Sequence, residues 1–261
     1  MSLFVAAFTL TACGGDDDNN NSNSNSNTGN NETPAVVNDL IGTWSYRGTS
    51  MIFTNDKITA KMDGQVIVEG SYTIKDGKLT MVVKQGGSED VTKVATVKLL
   101  YDKSILVLKY VAVDAQNSPL DVAVDIFFKE GKKAVTPVSD IQGTWHTYAN
   151  GQADDVFAGV KVNGNNVEVI LTMWSQRHVG TFTYNAGVMN LKMTQWWSGR
   201  GEHGHGSGPG NINPATHECD HWIACDEEDF ADQLDKELVF VADGNEAYGY
   251  IVGKPSVFVK K

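Results

Sequence analysis

The chain has 261 residues, of which 41% are hydrophobic, enough for one large domain or two small domains with packed cores. Its formal net charge of -11 argues against nucleic acid as a partner, because binding to phosphates needs clustered Lys and Arg. The same charge argues against adsorption to anionic lipid headgroups through a basic patch.

The first predicted element is a short apolar segment that ends at a cysteine. Residues 3–10 are mostly apolar, a run too short to span a bilayer but suited to the core of a secretory signal. The segment Leu10-Thr11-Ala12-Cys13 resembles the lipobox of bacterial lipoproteins. This resemblance implies that residues 1–13 are a signal peptide and that acylated Cys13 anchors the mature protein to a membrane. No Lys or Arg precedes the run, so either the true start lies upstream or the segment is not a signal. In the second case the alternative is a cytoplasmic protein with an apolar start.

A low-complexity segment rich in Asp, Asn and Ser follows, over residues 14–35. Because such a composition cannot bury enough apolar surface to fold, we predict a disordered tether. Gly14, directly after the cysteine, resembles the outer-membrane sorting pattern of Gram-negative lipoproteins. The acidic residues 16–18 resemble the export signal of some surface-displayed lipoproteins. We therefore expect an outer-membrane lipoprotein, on the periplasmic face or the cell surface.

An internal repeat divides the rest of the chain. The sequence DLIGTW at 39–44 recurs as DIQGTW at 140–145, and GSYT at 70–73 recurs as GTFT at 180–183. The closing sequence IFFK at 126–129 recurs as VFVK at 257–260. Matches in the same order at similar offsets predict two related domains, residues 36–131 and residues 132–261.

Alternation with period 2 and turn residues predict about eight short strands in each domain. The first domain has predicted strands at 42–47, 49–55, 57–62, 65–75, 78–84, 90–101, 104–113 and 120–130. The second has them at 143–149, 153–163, 166–174, 178–185, 188–196, 236–243, 246–253 and 256–261. We therefore predict an all-β protein of two tandem, small up-and-down antiparallel β-barrels, since closure removes exposed edges. A two-sheet sandwich is the alternative.

The repeated Gly-Thr-Trp motif is similar to the early Gly-x-Trp of lipocalin-like domains in the calycin superfamily. In that superfamily the Trp plugs the closed end of the barrel, and the opposite end is open and admits ligand. The resemblance implies that Trp44 and Trp145 are core residues. Both domains are shorter than a full lipocalin, so a large ligand cavity is not expected.

The second domain carries a predicted insertion, residues 197–235, between its fifth and sixth strands. Alternate loops of an up-and-down barrel emerge at the same end, so the insertion shares a rim with residues 174–178. We predict a site for a small amphipathic molecule or a glycan at this mouth, formed by Trp174, Arg177, His178, Trp196 and Trp197. The alternative is that Trp196 and Trp197 cap the barrel and pack under the insertion. Adjacent residues on a strand face opposite ways, so at most one of the two can point inward from a regular strand.

The predicted insertion also contains cysteines and histidines. Cys219 and Cys225 are close in sequence, which favours a disulfide in an oxidising compartment, with free thiols or metal ligands as alternatives. Four histidines provide suitable atoms for zinc or copper, but their spacing matches no zinc motif; they are His203, His205, His217 and His221. We therefore expect a disulfide and no metal or other cofactor.

Catalytic motifs are missing from the sequence. It has no Gly-x-Ser-x-Gly, no His-Glu-x-x-His and no phosphate-binding Gly loop. We expect a non-enzymatic, lipid-anchored envelope protein that binds a small molecule or glycan through its second barrel, with the first barrel as a spacer or docking surface. The alternative is a protein-interaction subunit of an outer-membrane or cell-surface complex. The protein partner is unknown, and the lipid anchor is the expected contact with the membrane.

Overall fold

The computed structural model of the protein describes residues 35–85, 90–113, 119–149, 152–153, 159–171, 176–199, 208–213, 215–216, 218–225, 236–251 and 254–261. Within these ranges the fold is all-β apart from one helical turn, α1 (Val37–Leu40). No helix in the described part of the chain is long and apolar enough to cross a membrane. The predicted signal peptide, Cys13 and the tether up to residue 34 lie outside the described residues.

The first domain is a closed antiparallel barrel of eight strands. The strands are β1 (Gly42–Tyr46), β2 (Thr49–Phe53), β3 (Lys57–Met62), β4 (Gln65–Lys75), β5 (Lys78–Gln85), β6 (Asp90–Leu100), β7 (Ile105–Val113) and β8 (Pro119–Lys129). Each strand pairs with the next along the chain, and β1 pairs with β8 to close the barrel. The predicted up-and-down barrel is confirmed, and the sandwich is excluded.

The second domain repeats this architecture. Its strands are β9 (Gly143–Ala149), β10 (Gln152–Ala153), β11 (Gly159–Asn163), β12 (Asn166–Leu171), β13 (Gln176–Asn185), β14 (Val188–Ser198), β15 (Ile223–Ala224), β16 (Glu237–Asp243), β17 (Glu246–Ile251) and β18 (Lys254–Lys260). Pairing of β9 with β18 closes the barrel, while the two-residue strands β10 and β15 add to β9 and β14. The two ends of the predicted strand 153–163 correspond to β10 and β11, and residues 154–158 between them lie outside the described residues.

The repeated motifs have the same structural role in both barrels. Trp44 and Trp145 are fully buried, and each indole N–H donates a hydrogen bond to the carbonyl four residues earlier, at 2.7 Å and 2.8 Å. Gly70 and Gly180 lie where two neighbouring strands approach closely. A Cβ at these positions would lie 2.1 Å and 2.2 Å, respectively, from a carbonyl oxygen of the neighbouring strand. The repeated residues therefore serve packing, as the resemblance to lipocalin-like domains implies for Trp44 and Trp145.

The barrels pack directly against each other. An apolar cluster joins outward-facing residues of β7 and β8 to outward-facing residues of β16, β17 and β18. The fully buried members include Val107, Ile126, Val239, Val241 and Tyr248. Burial of so many aliphatic side chains between the domains is strongly stabilising, so the two barrels form one packed unit.

Polar contacts border this apolar interface. Lys98 forms ion pairs with Asp243 and Glu246, and Lys109 lies 2.8 Å from Glu246. Burial raises the pKa of the Glu246 carboxyl, but hydrogen bonds from Lys109 and Tyr248 outweigh this effect and hold the pKa below its ordinary value. These half-buried charges fix how the two barrels meet.

Candidate functional site

The strand pair β13–β14 carries four of the five predicted site residues. His178 lies opposite Trp196, and Arg177 lies opposite Trp197. His178 also lies opposite Val169, a member of the core inside the second barrel. Because directly opposite residues share a face and successive residues alternate, His178 and Trp196 face the barrel interior. Arg177 and Trp197 face the outside of the wall.

The inner pair lies in an apolar environment. His178 is 1% exposed, and this burial lowers its pKa to about 4, so the ring is neutral at neutral pH. Trp196 is only partly buried, but its indole nitrogen is buried, and no described residue accepts a hydrogen bond from it. The inner wall therefore presents an indole donor and a neutral imidazole at one level of the barrel.

Strand β15 continues the inner wall toward the rim. Ile223 pairs with Trp196 and therefore shares its face, yet it is 40% exposed. Cys225, two residues further along, packs against the apolar core of the barrel. Exposure thus increases along the inner face from Cys225 to Ile223, so this end of the barrel is accessible to solvent beside Trp196.

The outer pair lies against described residues of the β14–β16 segment, the part of the chain between these two strands. Trp197 is fully buried, and a Cβ on Gly199 or Gly210 would lie 2.2 Å or 2.1 Å from its indole atoms. Arg177 is 3% exposed and lies 3.2 Å from the Glu168 carboxylate. The predicted group is thus divided: Trp197 packs under the β14–β16 segment with Arg177 beside it, while Trp196 and His178 face inward.

No disulfide joins Cys219 and Cys225 in the structure. Cys219 contacts Arg177 of the outer wall, and burial raises the pKa of its thiol. Cys225 packs against the core of the same barrel. The predicted disulfide is therefore not formed in this structure, and oxidation of the pair stays a prediction.

Most of the candidate metal ligands, and one predicted ligand-binding residue, lie outside the part of the chain that the structure describes. Trp174 and three of the histidines, His203, His205 and His217, lie outside the described residues. His221 is described, and its Nδ1 lies 2.7 Å from the Asp220 carboxylate. Among the described residues there is no group of three or more potential metal ligands.

A polar group that the sequence did not predict lies inside the first barrel. Asp125 faces the interior beside Tyr110, and burial raises the pKa of its carboxyl to about 6, although a hydrogen bond from Tyr110 and the charge of Lys93 oppose the shift. The sequence offered no signal for this group, because alternation on β8 separates two faces without showing which one is interior.

Comparison with known proteins finds no family model and no curated protein that matches this chain. The barrel topology and the repeated Gly-Thr-Trp motif therefore stand as the basis for classification. The chain is consistent with a tandem lipocalin-like fold. That fold is compatible with a ligand-binding protein.

Proposed function

We propose that this protein is a non-enzymatic, lipid-anchored envelope protein that binds a small amphipathic molecule or a glycan at the mouth of its second barrel. The observation that carries the proposal is the inner-wall group of His178, Trp196 and Ile223. It combines an exposed apolar side chain with a buried indole donor and a neutral imidazole. Ligand sites typically have such apolar walls with a few polar groups that orient the ligand.

The packing below this group limits how deeply a ligand enters. The interior of the second barrel is filled by large side chains, including Phe240 and Phe258 with ring centroids 5.1 Å apart. A ligand therefore lies at the mouth, with its apolar face on Trp196 and Ile223.

The test uses N-phenyl-1-naphthylamine, a neutral fluorescent probe, with purified full-length chain. Ile223→Glu places a charge on the apolar surface at the mouth of the second barrel, and we expect about tenfold weaker probe binding. Ile67→Glu is the matched control, because Ile67 is 37% exposed, against 40% for Ile223, and lies on β4 of the first barrel. Equal probe binding by wild-type protein and Ile223→Glu would reject the mouth as the site.

A second function is favoured by exposed apolar residues on the first barrel. Val82 and Val94 lie on the outer faces of β5 and β6, 39% and 49% exposed, and Val66 and Ile67 on β4 are exposed too. Such a surface fits the alternative of a protein-interaction subunit in an envelope complex. Co-purification of a partner that is lost in Ile67→Glu but kept in Ile223→Glu would support this alternative.

A further inference from the structure

A cleft lies at the seam between the two barrels, away from the mouth of the second barrel. Its volume is about 500 Å³, within the range of about 300–1,000 Å³ that is usual for small-molecule sites. The first barrel contributes Tyr46 and Phe128, and the second contributes Ala186 and Val188. The linker, which is the chain between β8 and β9, contributes residues 131–134. Both barrels and the linker are therefore needed to form it.

The floor of the cleft is apolar and held in place by packing. The Tyr46 ring stacks on Tyr250 with centroids 5.1 Å apart and tilts against Phe128 at 5.8 Å. The linker is fixed to the second barrel because the Gly187 N–H donates a hydrogen bond to the Thr136 hydroxyl at 2.9 Å. A ligand thus meets a surface that is already formed, which lowers the entropy cost of binding.

The rim of the cleft is cationic. Lys132 and Lys133 are the charged side chains among its described lining residues. Lys132 lies 2.8 Å from the carboxylate of Asp102, whose side chain is 91% exposed, and it also donates a hydrogen bond to the Asp102 carbonyl. Ion pairs this exposed contribute little to stability. No described residue forms an ion pair with Lys133. Although the chain has a net charge of -11, this cleft offers an anion two lysine side chains beside an apolar floor.

We propose that the cleft binds a small amphipathic anion. Its ring or short alkyl chain packs on Tyr46 and Phe128, and its carboxylate or sulfonate group lies toward Lys132 and Lys133. Charge complementarity sets the sign of the ligand, and the apolar floor sets its amphipathic character. This site is independent of the mouth of the second barrel and of the ligand proposed there.

The test measures binding of 8-anilino-1-naphthalenesulfonate, an amphipathic anion, to full-length protein by fluorescence. We expect the double variant Lys132→Gln/Lys133→Gln to bind it roughly fivefold more weakly, and the difference to shrink at high salt. Lys75→Gln/Lys78→Gln is the matched control, since it removes the same charge from two exposed lysines flanking the β4–β5 turn. Equal affinity for the two double variants would overturn the proposal.

A second measurement locates the probe. In methyl-labelled alanine spectra, titration with the anion is expected to shift Ala134 and Ala186, which line the cleft, and to leave Ala247 in the core of the second barrel unchanged. Ile223→Glu should bind the anion like wild type, which separates this site from the mouth. Shifts that avoid Ala134 and Ala186, or loss of binding in Ile223→Glu, would refute the cleft as the site.

Discussion

Replacing Ile126 with Ala tests whether the two barrels are stable only when docked. Ile126 is fully buried on the outer face of β8, in the apolar cluster that includes Val239 and Val241 of the second barrel. The substitution removes three carbons, which at about 0.8 kcal/mol each amounts to about 2.4 kcal/mol of lost burial. The cavity adds to this cost, so the total lies within the usual range of about 2–5 kcal/mol.

The assay follows each barrel separately during unfolding in urea. With 5-fluorotryptophan incorporated, the fluorine signal of Trp44 reports on the first barrel and that of Trp145 on the second. In wild-type protein both native signals should disappear at the same urea concentration. In Ile126→Ala both midpoints should fall by about 1 M of urea. This follows from a loss of about 3 kcal/mol in the free energy of unfolding, which itself decreases by about 3 kcal/mol per M of urea.

The decisive result is the behaviour of Trp145, because Ile126 belongs to the other barrel. If the Trp145 midpoint stays at its wild-type value while the Trp44 midpoint falls, the barrels are independent and the reasoning fails. Val239→Ala is the reciprocal variant, since Val239 is a fully buried residue of the second barrel in the same cluster. It should lower the Trp44 midpoint as well.

Two further predictions concern the β13–β14 wall. In Gly210→Ala the new Cβ would lie 2.1 Å from the Trp197 indole nitrogen, so the chain around residue 210 should move away from Trp197. Acrylamide should then quench the fluorescence of Trp197 more strongly. Unchanged quenching would argue against the described packing. His178 has a pKa of about 4 when folded against about 6.5 when unfolded. The unfolded state therefore binds more protons between these values, and stability falls as pH drops through this window. His178→Leu should remove that part of the pH dependence. If the urea midpoint of unfolding fell equally from pH 7 to pH 4.5 in wild-type protein and in His178→Leu, the burial of His178 would be contradicted.

Strand and turn positions could be predicted from the sequence because they depend on local chemistry. Alternation with period 2 gave most strand positions to within a few residues. The Asp-Gly turns at 63–64 and 76–77 were identifiable because these residues tolerate positive φ, and the structure has φ of 49°, 80°, 50° and 72° there. The repeat also placed Trp44 and Trp145 in equivalent positions, where both are buried.

The faces of β8 show what local patterning leaves undetermined. The sequence places Val124 and Ile126 on one face and Asp125 and Phe127 on the other, and the structure keeps this division. The aliphatic face packs against the second barrel, while Asp125 and Phe127 face the interior of the first. Alternation separates two faces of a strand, but the partner that covers each face comes from elsewhere in the chain.

The site at the second barrel depended even more on tertiary structure. Met189, Leu191 and Met193 face the core, and simple alternation would continue inward to Trp197. A bulge leaves Thr194 without a partner opposite Val179 and Gly180, which shifts the alternation by one residue. The sequence by itself determined that a Trp-rich strand and a His lie near one end of a β-barrel. Pairing with the neighbouring strand decided that Trp196 faces the interior and Trp197 the outside, because the bulge forms only when the two strands meet.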